Sequence, residues 1–366
     1  MFLALREMKH AKLRYLLIGL IMVLISWLVL FVTGLANGLS SDNASSIQNM
    51  NADYLILQKD SDNQVNRSEI TKDLAKEAGK YTDASDTEKL GLQMSTVLKG
   101  ETSKKLDVTF FAVDQEGFLA PKITEGKAID NNDKNGIVAN ASLKNEGLRL
   151  GDKIKDQISG KVFTIKGFTE GQSFSHTPVV FVNLEEWGNI QSSVGQEETT
   201  VNAIALKATD KTAAKIEKEM KDVNVLTVDE SLKGIPGYSQ EQSSLLMMIV
   251  FLFIISAIVL AVFFYVITLQ KINQFGVLKA IGAKTSYLSI NIVSQVTFLT
   301  ILSLIVSVSI TYGLSFILPA GMPFVLTPSV VLICSGLFLV VSLGGAALSL
   351  YRVAKVDAID AIGRAV

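Results

Sequence analysis

Three stretches of this chain carry no charged side chain: residues 15–41, 242–270 and 285–351. An α-helix crosses the hydrocarbon of a bilayer with roughly 20 apolar residues, so each of the first two runs suits one span. The third is too long for one. Its middle, Leu318-Pro-Ala-Gly-Met-Pro-Phe324 followed by Pro328, has the proline and glycine density that breaks a helix. The pattern therefore predicts four transmembrane helices, at 15–41, 242–270, 285–315 and 329–351, with a short uncharged loop at 316–328. A large water-soluble protein with buried helices is excluded by the number and length of these runs. The composition agrees: 19% of residues are charged, against about 25% in ordinary soluble domains.

The charges that remain set an orientation. Arg6, Lys9, Lys12 and Arg14 precede the first span, Lys271, Lys279 and Lys284 separate the second from the third, and Arg352, Lys355 and Arg364 follow the fourth. Positive residues stay on the cytoplasmic side. The expected cytoplasmic parts are thus an N-terminal segment 1–14, a loop 271–284 and a tail 352–366, and residues 42–241 lie outside. The first apolar run is long for a signal peptide and no clear A-x-A site follows it, so an uncleaved span is expected. Cys334 is the sole cysteine and serves as a packing residue, which leaves the outer domain without disulfides.

Residues 42–241 read as a compact α+β domain. Strand formers bounded by turn residues occur at 53–58, 108–113, 137–139, 162–168, 179–182 and 201–206, and polar-faced helices at 69–80 and 211–221. No HExxH, GxSxG or clustered His/Cys metal pattern is present, so no catalytic residue and no metal site is expected. His176, in the polar run QSFSHTP, reads as a solvated loop residue. The pairs Glu185-Glu186 and Glu197-Glu198 read as solvated faces. Nothing points to nucleic acid.

In the 271–284 loop, Ile272, Phe275, Leu278 and Ile281 recur every three residues, giving one apolar stripe on a short helix. Lys271 and Lys279 fall off the stripe, and Gly282 suits a C-cap. By itself such a helix could lie on the lipid surface. The segment QKINQFGVLKAIGAKTSYL, however, resembles the loop of the MacB/FtsX-like ABC transporter permeases. Leu3–Arg14 is similar to that family's N-terminal amphipathic helix, and Tyr351–Ile362 to its C-terminal tail. The resemblance implies a MacB-like fold: an integral-membrane α-helical protein of four spans with an extracytoplasmic α+β domain. It also implies that the loop is a coupling helix docking on a cytoplasmic ATPase, with Phe275, Gly276, Leu278, Ala280, Ile281 and Gly282 making the contact. The chain lacks a GxxxxGK[ST] phosphate loop: Gly126-Lys127 and Gly160-Lys161 are not followed by Ser or Thr. ATP is then used by a partner chain, and the permease has no cofactor of its own. Family members of this size work as homodimers with two ATPase copies. Gly34 and Gly38 form a GxxxG step that permits close helix approach, the candidate dimer contact.

The size of the outer domain, the N-terminal MFLALREMKHAKLRY and the IPGYSQEQ segment before the second span resemble the heme-efflux branch of the family, found in Gram-positive bacteria. That resemblance implies heme, entering from the membrane, as the exported compound. Iron can take His, Cys, Met or Tyr ligands. With neither histidine placed beside a span on the outer side, the candidates are Tyr238, Glu241, Met247 and Met248, the first two sharing a helix face. The alternatives are export of a peptide or drug, or an FtsX-like regulator that transmits ATPase motion to a cell-wall hydrolase. No charged residue is expected inside a span, which argues against proton- or ion-coupled transport. Ser294, Gln295 and Thr297 are expected to bond between helices.

Overall fold

A computed structural model describes residues 12–100, 104–196, 198–319 and 322–354, with side chains up to residue 347 in the last stretch. Most of the expected N-terminal amphipathic helix and of the 352–366 tail lies outside the described residues. The chain divides into two compact units. One holds the apolar helices. The other comprises residues 39–243 with 320–323.

Among the described residues, four helices are long and apolar enough to span a bilayer: α1 (Lys12–Gln48), α6 (Tyr238–Gln270), α8 (Thr285–Ser315) and α9 (Pro328–Ala354). The apolar runs placed all four. The first two helices also extend past their runs, α1 through Asp42 and α6 back to Tyr238, because helix formation does not require an apolar face at every turn. Between α6 and α8 lies the short α7 (Ile272–Ala280).

The membrane unit packs around Ile18, Met22, Leu260, Phe264, Phe275, Ile292 and Phe338. Where α1 meets α8, small hydroxyl residues replace large apolar ones. Ser303, Ser307 and Thr311 repeat every fourth residue and are buried. Ser307 Oγ lies 2.5 Å from Ser26 Oγ and donates to the Val23 carbonyl at 2.9 Å. Lipid tails offer no hydrophobic drive between helices, so close backbone approach and such bonds hold them together. Of the polar residues expected to link helices, Gln295 does so, while Thr297 bonds back to the Val293 carbonyl of its own helix.

The outer unit is built on an eleven-stranded sheet among the described residues: β1 (Tyr54–Gln58), β2 (Thr87–Lys99), β3 (Lys105–Ala112), β4 (Ile123–Gly126), β5 (Gly136–Asn140), β6 (Lys153–Asp156), β7 (Val162–Thr169), β8 (Ser173–Phe174), β9 (Thr177–Val182), β10 (Ala203–Leu206) and β11 (Val223–Thr227). The order is β11-β1-β10-β2-β3-β9-β5-β7-β4, with β6 against β2 and β7, and β8 against β9. Pairs β3–β9 and β5–β7 are parallel. The long β2 runs past β10, β3 and β6 and ties the two halves together.

Alternation along the strands sorts side chains to two faces. Ile56, Phe110, Val180 and Ile204 enter one core, and Leu55, Phe111, Phe181 and Ala203 the other. Helices α2 (Lys72–Ala78), α3 (Leu184–Ser193) and α4 (Asp210–Glu219) cover the first face through Ala75, Trp187, Ile190 and Ile216. Ala44 and Ile47 at the end of α1, with Leu232 of α5 (Val228–Leu232), cover the second. Glu186, expected on a solvated face, is buried and pairs with Lys161 at 3.0 Å.

Glu88 is 8% exposed, and its carboxylate accepts the backbone N–H groups of Phe118 and, at 3.0 Å, Leu119. Loss of water around it pushes its carboxyl up, against the lowering effect of those two donors. A carboxyl raised in the folded state stays protonated there while the unfolded chain has ionised. Its contribution to stability is present at low pH and lost as pH rises through the folded value. Glu88→Gln is accordingly expected to reduce the drop in outer-domain stability between acid and neutral pH, read by urea unfolding with tryptophan fluorescence. An unchanged slope would contradict this.

Candidate functional site

The two-residue turn of the β8–β9 hairpin is Ser175-His176, with φ values of 49° and 61°. Left-handed conformations at both positions are what a tight hairpin turn of matching twist requires. The hairpin is stapled to the last turns of α1: Ser175 N–H donates to the Asn43 carbonyl at 2.7 Å, Ser173 N–H to Ser45 Oγ at 2.9 Å, and Asn49 Nδ2 to the Gly171 carbonyl at 3.1 Å. These bonds fix His176 between two carboxylates. Its Nδ1 lies 3.3 Å from Asp42 Oδ2 and its Nε2 3.2 Å from Glu241 Oε2.

His176 is exposed, as expected of a solvated loop residue, but it is not remote from the start of the second span. The hairpin brings it to the first turn of α6, a long-range placement that local polarity does not reveal. Glu241 Oε2 also accepts from Asn43 Nδ2 at 2.5 Å. Yet Glu241 Oε1, Asn43 Oδ1, Ser46 Oγ and Gln242 Nε2 are buried without a hydrogen-bond partner among the described residues. Buried polar atoms are nearly always paired; Asn43 and Glu241 are bonded to each other and each retains one further polar atom beside His176.

A cavity of about 480 Å³ opens beside His176, lined also by Asp42, Lys104, Lys105, Met322 and Pro323. It joins an imidazole, a thioether and two ammonium groups with the carboxylates of Asp42, Asp107 and Glu146, the last paired with Lys104 at 2.7 Å. Among the residues expected from sequence, Glu241 stands in this cluster. Tyr238, three residues before it, is half-buried, and its hydroxyl accepts from Gln48 Nε2 at 3.1 Å. Met247 and Met248 belong to the membrane part of α6 and are exposed. Sequence reasoning missed Met322 and Lys105, for which no local signal exists.

The α7 loop departs from its single apolar stripe. Phe275 is 1% exposed and Gly276 is buried, both turned into the helix bundle, with Leu278 partly buried beside them. The surface left open is Asn273, Gln274, Val277, Ala280, Ile281 and Gly282. Of the residues expected to contact an ATPase, Phe275 and Gly276 are therefore buried in the bundle, and Ala280, Ile281 and Gly282 are exposed beside Val277. Gly282, at φ 99°, ends α7 as foreseen: Ala283 N–H reaches the Leu278 carbonyl at 2.9 Å and Gly282 N–H that of Lys279 at 3.0 Å, the two bonds of a Schellman cap. Lys271 also departs from expectation. It is 5% exposed, and its Nζ donates to Tyr15 Oη at 2.7 Å and Gln295 Oε1 at 3.0 Å.

The GxxxG step is used inside the chain. Gly34 and Gly38 are both buried. A Cβ at Gly34 would lie 2.5 Å from the Phe324 ring, which stacks on Phe31, and Val325 N–H donates to the Gly34 carbonyl at 3.0 Å. Gly34→Leu should cost about 1–3 kcal/mol by overpacking, seen as a lower melting temperature in detergent. An unchanged melting temperature would show that the ring yields freely.

The MacB-like periplasmic core domain model matches residues 16–223, and the FtsX-like permease C-terminal model matches residues 246–358. A protein of Staphylococcus haemolyticus named as the hemin transport system permease HrtB is 32% identical over 365 residues, covering 99% of both chains. Its namesake in Staphylococcus epidermidis (strain ATCC 12228 / FDA PCI 1200) is 30% identical over 363 residues, again 99% of both. The periplasmic region of MacB from Actinobacillus actinomycetemcomitans matches 49% of this chain and 90% of its own, at 12% identity and a TM-score of 0.37, too low to argue geometry from. With more than half its length under one family model and full-length relatives at this identity, the chain belongs to the MacB/FtsX-type permeases of ABC transporters, membrane proteins with an extracellular MacB-like domain.

Proposed function

We propose that this permease exports heme, driven by a separate ATPase subunit that docks on α7. The observation that carries the reading is the end-to-end similarity to permeases named for hemin transport. Basic residues flanking α1 and α9 and in the α7 loop support a cytoplasmic position for both termini and α7. The exposed Val277, Ala280 and Ile281 then face the side where ATP is hydrolysed.

The outer cluster suits a tetrapyrrole. Imidazole and thioether are iron ligands, and His176 and Met322 line one cavity. Lys105 at its rim offers a cation for one propionate, Lys104 being already paired with Glu146. Heme approaching His176 Nε2 displaces Glu241 Oε2, and the freed carboxylate keeps its bond from Asn43. Two copies of the permease with two ATPase subunits form the working unit. Closure of the ATPases shifts α7, and through it the helices that carry the outer domain.

Deletion of the gene should raise hemin sensitivity, and restoring the wild-type chain should reverse it. Unchanged hemin tolerance together with division or cell-shape defects would instead favour an FtsX-like regulator of cell-wall hydrolases.

A further inference from the structure

A lysine at the end of a membrane helix ordinarily extends its stem toward the interface and keeps its ammonium in water. Lys271, at the junction of α6 and α7, does the reverse. It is 5% exposed. Its Nζ donates to Tyr15 Oη of α1 at 2.7 Å and to Gln295 Oε1 of α8 at 3.0 Å, and Tyr15 Oη donates to the same Gln295 oxygen at 2.9 Å. The three polar atoms close a triangle.

The backbone of Lys271 belongs to the same joint. It is the N-cap of α7. Its N–H reaches the Thr268 carbonyl of α6 at 3.1 Å, and its carbonyl accepts Phe275 N–H of α7 at 3.0 Å. One residue therefore binds four helices: α6 and α7 through its main chain, α1 and α8 through its ammonium. Phe275, one turn on, fills the bundle with apolar surface, but apolar contact has no direction and can slide. A charged hydrogen-bonded triangle fixes direction and distance. Burying an ammonium in a membrane bundle is costly, and such residues mark function.

We infer that Lys271 is the positioning residue that makes α1 and α8 follow α7, so that force applied at the exposed face of α7 reaches the span that continues into the outer domain. The inference rests on the reading that an ATPase acts through α7.

The test uses the permease–ATPase complex in nanodiscs, with a bimane fluorophore on Val194→Cys in a Cys334→Ala background. ATP turnover and the ATP-driven fluorescence change are read together. Lys271→Met keeps the hydrocarbon stem and removes the ammonium. The complex should still assemble and hydrolyse ATP, with the fluorescence change per ATP reduced about tenfold. Lys271→Arg should restore part of it, and Tyr15→Phe should lower it in the same sense. A wild-type response per ATP in Lys271→Met would overturn the inference while leaving the ATPase reading intact. If Lys271→Met does not assemble, a wild-type response in Tyr15→Phe overturns it. A wild-type complex that hydrolyses ATP with no fluorescence change sinks the ATPase reading and this inference together.

Discussion

Val277→Glu combined with Ile281→Glu is expected to detach the ATPase subunit from a permease that is otherwise folded. The two side chains are 54% and 76% exposed, so charging them disturbs little inside the protomer. On the partner's side, each carboxylate would have to be desolvated against an apolar groove. Central apolar contacts of an interface are worth about 2 kcal/mol or more each, and two of them should weaken the complex by about 1,000-fold or more. Copurification from detergent and a binding titration read this directly. Phe275→Ala separates the two faces of α7. Its ring is buried in the bundle, so its loss should cost about 3–5 kcal/mol of permease stability. The expected signature is a lower melting temperature, with docking intact in whatever protein folds. Equal and full binding by the double Glu variant would move the docking surface elsewhere.

The second large effect is at the outer cluster. His176→Ala with Glu241→Gln should abolish saturable hemin binding at the outer domain, a weakening of about 100-fold or more if a coordinate bond worth several kcal/mol is lost. The Soret band of the purified protein under hemin titration reports it. Met322→Leu should alter the band position with a smaller loss of affinity, since it replaces a ligand and retains the volume. Tyr238→Phe serves as the control that distinguishes this site from the one expected from sequence alone. The Tyr238 hydroxyl is bonded to Gln48, and its removal should leave the spectrum nearly unchanged. A spectrum that depends on Tyr238 and ignores His176 would reverse that assignment.

The membrane helices were legible because their determinant is local. A charge-free run of sufficient length has few other places to go, and α8 begins and ends where its run predicts. Short apolar strands such as 179–182 and 201–206 were visible for the same reason. The 13-residue β2 was not: it contains Gly91, Lys89 and Gln93 within its length, and its pairing with three neighbours overrides weak strand propensity. Gly91 is there because a Cβ would strike the Trp187 ring, a constraint set by α3 nearly a hundred residues later.

The functional residues divide along the same line. The C-cap at Gly282 is a local signal and was read correctly. Which face of α7 points inward depends on Tyr15, Leu288 and Ile292 from two other helices, so a three-residue periodicity found the helix but not which of its residues are buried. His176 and Lys271 owe their surroundings to partners 65 and 24 or more positions away. His176 meets Glu241 through a hairpin docked on α1, and Lys271 meets Gln295, 24 residues on. Neither histidine polarity nor the basic character of the loop carries that information.

The central claim, heme export powered through α7, is tested most directly by ATP turnover of the permease and its ATPase partner reconstituted together, with and without hemin. The account predicts that hemin raises the ATPase rate of the wild-type complex, that His176→Ala/Glu241→Gln loses the stimulation but keeps the basal rate, and that Val277→Glu/Ile281→Glu removes both. A complex that hydrolyses ATP at the same rate with and without hemin, and binds no hemin in its outer domain, would contradict it.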